Sequence, residues 1–156
     1  MGTEQLTRVL DEAGVNYELL PHAHTESAAA EARALGVQPD DVAKTLVVTV
    51  PEGYVRAVVP ASERLDLHKL RAARGGSKAT VQLASEDDLA RDYPEFELGA
   101  VPPLGGSRRD PVVVDSRLAD RDSVVLEAGS HEESVRIWIP DLLRVSAGEI
   151  ADICED

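Results

Sequence analysis

The sequence has almost no sulfur and very few rings. Cysteine, methionine, tryptophan and phenylalanine occur once each, and aromatic residues make up 3% of the 156. A single cysteine, Cys154, excludes an internal disulfide and suits a reducing compartment. So few rings leave the core to Val, Leu, Ile and Ala. Lysine is also scarce: only Lys44, Lys69 and Lys78 occur, and the other basic residues are arginine. No apolar run reaches the roughly 20 residues needed to cross a bilayer. The opening Met-Gly-Thr-Glu-Gln has neither the charged nor the apolar region of a secretory signal. These absences predict a cytoplasmic protein with no membrane partner.

What the chain has in excess is negative charge, a net −13 at pH 7. Hydrophobic residues at 43% and charged residues at 29% suit a soluble globular chain. The length suits one domain spanning 1–156, with no repeat or dividing linker. Thr3 is placed to cap a helix that Gly14 ends, with Leu6, Val9, Leu10 and Ala13 on one face. Val15 to Leu20 alternates like a strand, and Ser27 to Leu35 reads as a helix stopped by Gly36. Ala43 to Val50 is β-branched enough for a buried strand, Pro51-Glu52-Gly53 turns it, and Tyr54 to Val59 returns. Asp66 and Ser85 each cap a helix, the first stopped by Gly75-Gly76. Residues 99–111 are loop; strands follow at 112–114, 123–127 and 135–139, then one or two short helices over 142–153. Strands meeting both directly and through helices predict an α+β domain with a curved, mixed, barrel-like sheet flanked by helices.

Three features could carry chemistry. Lys44 stands at the head of an apolar strand, on the face of Leu46 and Val48. A lysine there is costly unless its ammonium reaches water, a cleft or an anion; the plainer reading is a strand-end lysine reaching solvent. The loop Gly99-Ala100-Val101-Pro102-Pro103-Leu104-Gly105-Gly106 can bring a stiff backbone close to a small ligand, or can simply connect strands. Asp115 could bind an amine or orient Lys44; an aspartate at a strand end more often caps the next turn. His22, His24, His68 and His131 have no metal-ligand spacing and read as solvated. No metal and no cofactor are expected. No Gly-x-Ser-x-Gly elbow is present, which argues against a serine hydrolase.

The order Ala43-Lys44-Thr45-Leu46-Val47-Val48, Ala57-Val58-Val59-Pro60, Leu65-Asp66-Leu67-His68-Lys69-Leu70, Gly99-x-x-x-Pro103 and Val112 to Asp115 resembles the YbaK/ProX-like aminoacyl-tRNA deacylases. These are relatives of the editing domain of prolyl-tRNA synthetases. The resemblance covers about residues 14–146. It implies a trans-editing hydrolase that cleaves the ester of mischarged aminoacyl-tRNA, with a small amino acid such as Ala or Cys on proline tRNA. It implies Lys44 as the essential lysine. Substrate contacts would come from Thr45, Gly99, Ala100, Val101, Pro102, Pro103 and Asp115. Two stretches depart from the family pattern. His24 to Ala28 lacks the aromatic and glycine that many relatives carry, and Pro102 stands where the family loop often has Ser.

The alternative on the same fold is a non-catalytic module that binds an amino acid or aminoacyl-tRNA. The net charge opposes RNA, since phosphate contacts rely on Lys and Arg. The expected resolution is a small basic mouth on an acidic body. Lys44, Arg74, Lys78, Arg108 and Arg109 would meet only the acceptor end of tRNA, and a prolyl-tRNA synthetase is a candidate partner supplying tRNA identity.

Overall fold

A computed structural model describes residues 2–74 and 81–156. Lys78 and the Gly75-Gly76 helix stop lie outside the described residues. The chain runs α1 (Gly2–Glu12), β1 (Tyr17–Pro21), α2 (Ala28–Leu35), a 3₁₀ turn (Pro39–Asp41), β2 (Val42–Val50), β3 (Gly53–Pro60) and α3 (Leu67–Ala73). It continues through β4 (Gln82–Leu83), α4 (Glu86–Asp92), β5 (Val112–Asp115), α5 (Ser116–Ala119), β6 (Ser123–Ser130), β7 (Glu133–Trp138), α6 (Ile139–Ser146) and β8 (Glu149–Ala151).

The sheet is mixed, in the order β1-β7-β6-β2-β3-β5-β8, with β4 added on β2. The β2–β3 hairpin is its axis, paired from Ala43↔Pro60 to Val50↔Gly53. Parallel pairs flank it: β6 on β2 and β5 on β3. One face packs Val58, Val114, Leu126 and Ile137 under Leu6 and Leu10 of α1 and Leu142 of α6. The other packs Val48, Val55, Val59 and Val113 under Leu70 of α3 and the C-terminal Ile153 and Cys154. Burying both faces explains why β2 and β3 are almost continuously β-branched rather than alternating.

The helix signals act through identifiable caps. Ser27 accepts from the Ala30 N–H, and Gly36 closes α2 in the left-handed region at φ 68°. Asp66 accepts from the His68 and Lys69 N–H groups. Ser85 and Asp88 form a reciprocal capping box on α4. Two expectations are corrected. Thr3 lies inside α1, buried, and its hydroxyl donates to Glu133 Oε1 at 2.8 Å instead of capping. Residues 149–151 form a strand parallel to β5 rather than a helix. Leu46, expected in the core with Val48, is only partly buried because it borders the cleft described next.

Candidate active site

β2 and β6 pair over only two residues, Val42↔Val125 and Ala43↔Leu126. Beyond that point they separate, and β6 carries a register irregularity between Glu127 and Ser130. The first residue past the fork is Lys44 on β2 and Glu127 on β6. A cleft of about 310 Å³ fills the fork, lined by Lys44, Thr45, Leu46, Glu26 to Ala29 at the start of α2, Gly99, Val101 and Glu127. Lys44 and the Gly99 loop, far apart in sequence, thus share one cavity.

Among the described residues the Lys44 side chain has no ion-pair or hydrogen-bond partner. Burial lowers its pKa from the ordinary lysine value, and Arg64 adds to that, while Glu63 and Cys154 oppose it. A partly desolvated, uncommitted ammonium favours an anion or a polarisable oxygen in the cleft.

The loop is built more firmly than a surface connection. Residues 100–104 are buried, and the clamp is Arg56, whose side chain is 1% exposed. Its guanidinium donates to the carbonyls of Pro102 (3.0 Å), Gly105 (3.0 Å) and Arg108 (3.3 Å) and to Asp110 Oδ2 (3.2 Å). It also lies over the Tyr93 ring, 5.1 Å from the centroid. Gly99 turns at φ +82°, where a side chain would be strained, and its missing Cβ would sit 3.6 Å from His131 Cε1. Ala100, Pro102 and Pro103 do not line the cleft: Ala100 is buried, the Pro102 carbonyl serves Arg56, and Pro103 faces a different cavity.

Behind Gly99 lies a polar cluster that the histidine spacing did not reveal. His131, expected to be solvated, is 6% exposed. Its Nε2 is 2.6 Å from the Leu98 carbonyl, which can only accept, so Nε2 carries a proton. Its Nδ1 faces Glu127 Oε2 at 3.1 Å, out of hydrogen-bond alignment, and both atoms are buried without a partner. Burial raises the Glu127 pKa to about 8, with Glu31, Glu97 and Glu26 adding repulsion. Glu31, fully buried, accepts from the Ser134 hydroxyl, and burial raises it to about 7. His22 Nε2 meets the same hydroxyl at 2.8 Å.

Asp115 is placed elsewhere. It is fully buried and accepts from the N–H groups of Arg117 (3.0 Å) and Ile153 (2.9 Å), so its carboxylate tethers α5 and the C-terminal segment. The cap reading applies and the amine-binding expectation is corrected, because its oxygens are already taken. The arginines do not join Lys44 in one mouth either. Arg74, Arg108 and Arg109, with Arg71, ring a second cleft of about 360 Å³ floored by Val50, Val55, Leu70 and Val81. It sits at the far end of β2, six residues from Lys44 or about 20 Å of strand. Arg108 stacks 4.8 Å over Tyr54 and pairs with Asp110; Arg74 pairs with Glu149 at 3.0 Å.

The sequence model of the aminoacyl-tRNA editing domain family matches residues 22–145, from just after β1 into the last turn of α6. The chain belongs to that family. The matched span contains the whole fork, the loop and the Glu127–His131 cluster. The domain is 27% identical to EbsC of Enterococcus faecalis, named as a Cys-tRNA(Pro)/Cys-tRNA(Cys) deacylase, over 97% of this chain and 94% of that one. It is 25% identical to the multifunctional Ser/Thr-tRNA deacylase ProXp-y of Escherichia coli, over 96% and 90%. In fold the domain matches a crystal structure described as a trans-editing enzyme for prolyl tRNA synthetase. That match has a TM-score of 0.89 at 23% identity and covers 99% of this chain and 98% of the other. Among the described residues no helix is long and apolar enough to cross a membrane, and no group of three or more His, Cys, Asp or Glu could hold a metal ion.

Proposed function

We propose that this editing domain hydrolyses the ester of mischarged aminoacyl-tRNA in trans, in the cytoplasm, at the fork between β2 and β6. The observation that carries the proposal is the shared cleft of Lys44 and the Gly99 loop, with Lys44 left uncommitted. An aminoacyl ester is already activated, so holding and polarising it supplies much of the rate. Lys44 polarises the ester carbonyl or holds the terminal phosphate. Thr45, Gly99 and Val101 present short groups and backbone to the aminoacyl end, and Arg56 fixes the loop against them.

The cleft volume suits a small side chain such as Ala or Cys, and the relatives named for Cys-, Ser- and Thr-tRNA support that range. Proline tRNA is the expected carrier, with a prolyl-tRNA synthetase as the partner that supplies tRNA identity. Arg71, Arg74, Arg108 and Arg109 hold backbone phosphates upstream of the terminal nucleotide. Incubation with a panel of misacylated tRNAs tests this. Enzyme-dependent loss of the small aminoacyl esters supports hydrolysis; tRNA binding without ester loss means a non-catalytic module.

A further inference from the structure

Lys44 and Glu127 are the paired strands' first residues past the fork, one of each charge type, yet no ion pair joins them. Lys44 lies within the influence of Glu63, Arg64 and Cys154, whereas Glu127 turns toward His131. The cleft therefore has a cationic pole and an acidic pole, and both keep unused hydrogen-bonding capacity. At the acidic pole Glu127 lines the cleft, while its buried Oε2 faces the buried His131 Nδ1 at 3.1 Å, where a shared proton would satisfy both atoms.

We infer that Glu127 binds the α-ammonium of the aminoacyl group and so positions its carbonyl at Lys44. This rests on the hydrolase reading above. An ammonium donates three hydrogen bonds and accepts none, which suits the carboxylate that Glu127 contributes to the cleft lining. The surroundings favour a cation over any anion: Glu31 from α2, Glu97 from the loop before Gly99, and Glu26 beside the start of α2 all repel negative charge from Glu127. The proton balance is also favourable. Glu127 titrates near 8 and a free α-amino group at about 7.7–8.0. An amine entering beside the protonated acid forms the ion pair by moving one proton, so no net charge is buried. His131, held by Leu98 through Nε2, stands 3.1 Å from Glu127 Oε2 and backs the carboxyl that lines the cleft. Glu127 is then a discriminator for free aminoacyl esters over acyl esters without an amine.

Two readouts test this, one independent of hydrolysis. The first is binding of 3′-alanylamino-3′-deoxyadenosine, a stable amide, against its lactyl counterpart, which has hydroxyl for amine. The second is deacylation of alanyl-tRNA against lactyl-tRNA. Wild type should prefer the amine form by about 10- to 100-fold. Glu127→Gln should abolish that preference by weakening the amine form alone, and Glu127→Asp should restore part of it. Replacing an unsatisfied buried acid by its amide should leave thermal melting unimpaired. Equal binding of the two amides by wild type, or a Glu127→Gln loss that is equal for both, overturns the inference. Preference in the binding arm with no hydrolysis by wild type keeps the inference and removes the hydrolase reading instead.

Discussion

Replacing Arg56 by lysine keeps the charge and removes the planar fork. The guanidinium serves four acceptors spread over residues 102–110, and a lysine ammonium at the end of a single stem cannot reach them all. The ammonium should stay with Asp110, whose carboxylate is 4% exposed, and release the Pro102 and Gly105 carbonyls. Each carbonyl left without a donor costs about 1–3 kcal/mol, so Arg56→Lys, which releases two, should lose about 2–6 kcal/mol. That is a large share of the roughly 5–15 kcal/mol typical of a domain. In urea, a slope of about 2 kcal/mol per molar turns the loss into a midpoint lowered by about 1–3 M. Activity should fall further than folding requires, because a misplacement of about 1 Å at a reacting group can cost on the order of 100-fold. Urea denaturation followed by the fluorescence of Trp138, with deacylation measured under folding conditions, reads both effects. A stability loss below about 1 kcal/mol with an unchanged rate would refute the clamp and mean that the loop holds itself.

Other outcomes follow from the same geometry. Glu31 and Glu127 titrate in the fold above the ordinary glutamate value of 4.5, so the native state retains protons that the unfolded chain releases. Their contribution is fully present below about pH 4.5 and is lost as pH rises through about 7 to 8, with a slope approaching about 1.4 kcal/mol per pH unit for each retained proton. Denaturation at pH 5.5 and pH 8 should show wild type weaker at pH 8 and a Glu31→Gln/Glu127→Gln variant nearly level; a wild type that strengthens with pH contradicts the burial argument. Arg71→Ala/Arg109→Ala should flatten the salt dependence of tRNA binding, whose log–log slope should be roughly −1 to −3 in wild type. It should also raise KM more than it lowers kcat; a salt series blind to the double variant puts the RNA on another surface. Among small aminoacyl groups, discrimination should stay within about 10- to 200-fold, and strong preference for an aromatic group would exclude the small cleft.

Much of this was readable from residue order, and the remainder has physical reasons. Lys44 stood out because lysine is rare and its strand is apolar; the fork that gives it a cleft depends on β6, some eighty residues later. Arg56 does not stand out in the sequence because a charged residue in a strand normally points to water, whereas here both faces of β3 are buried and acceptors from residues 102–110 close around it. A charged residue inside a continuous β-branched run was the available signal. His131 sits in Gly-Ser-His-Glu-Glu, a polar turn by composition, and is buried only because Leu98 and Gly99 fold over it. Asp115 offered two uses, and the local one won because the Arg117 and Ile153 amides lie within reach. β8 is three residues long and pairs with a strand more than thirty residues earlier, so no local pattern announces it.

The account depends on Lys44 acting at the ester. Single-turnover deacylation of a small aminoacyl-tRNA by wild type and Lys44→Ala, with circular dichroism to verify folding, tests it most directly. The account predicts a loss on the order of 100-fold or more in the chemical step from a folded variant. A Lys44→Ala protein that hydrolyses the ester at close to the wild-type rate would contradict it.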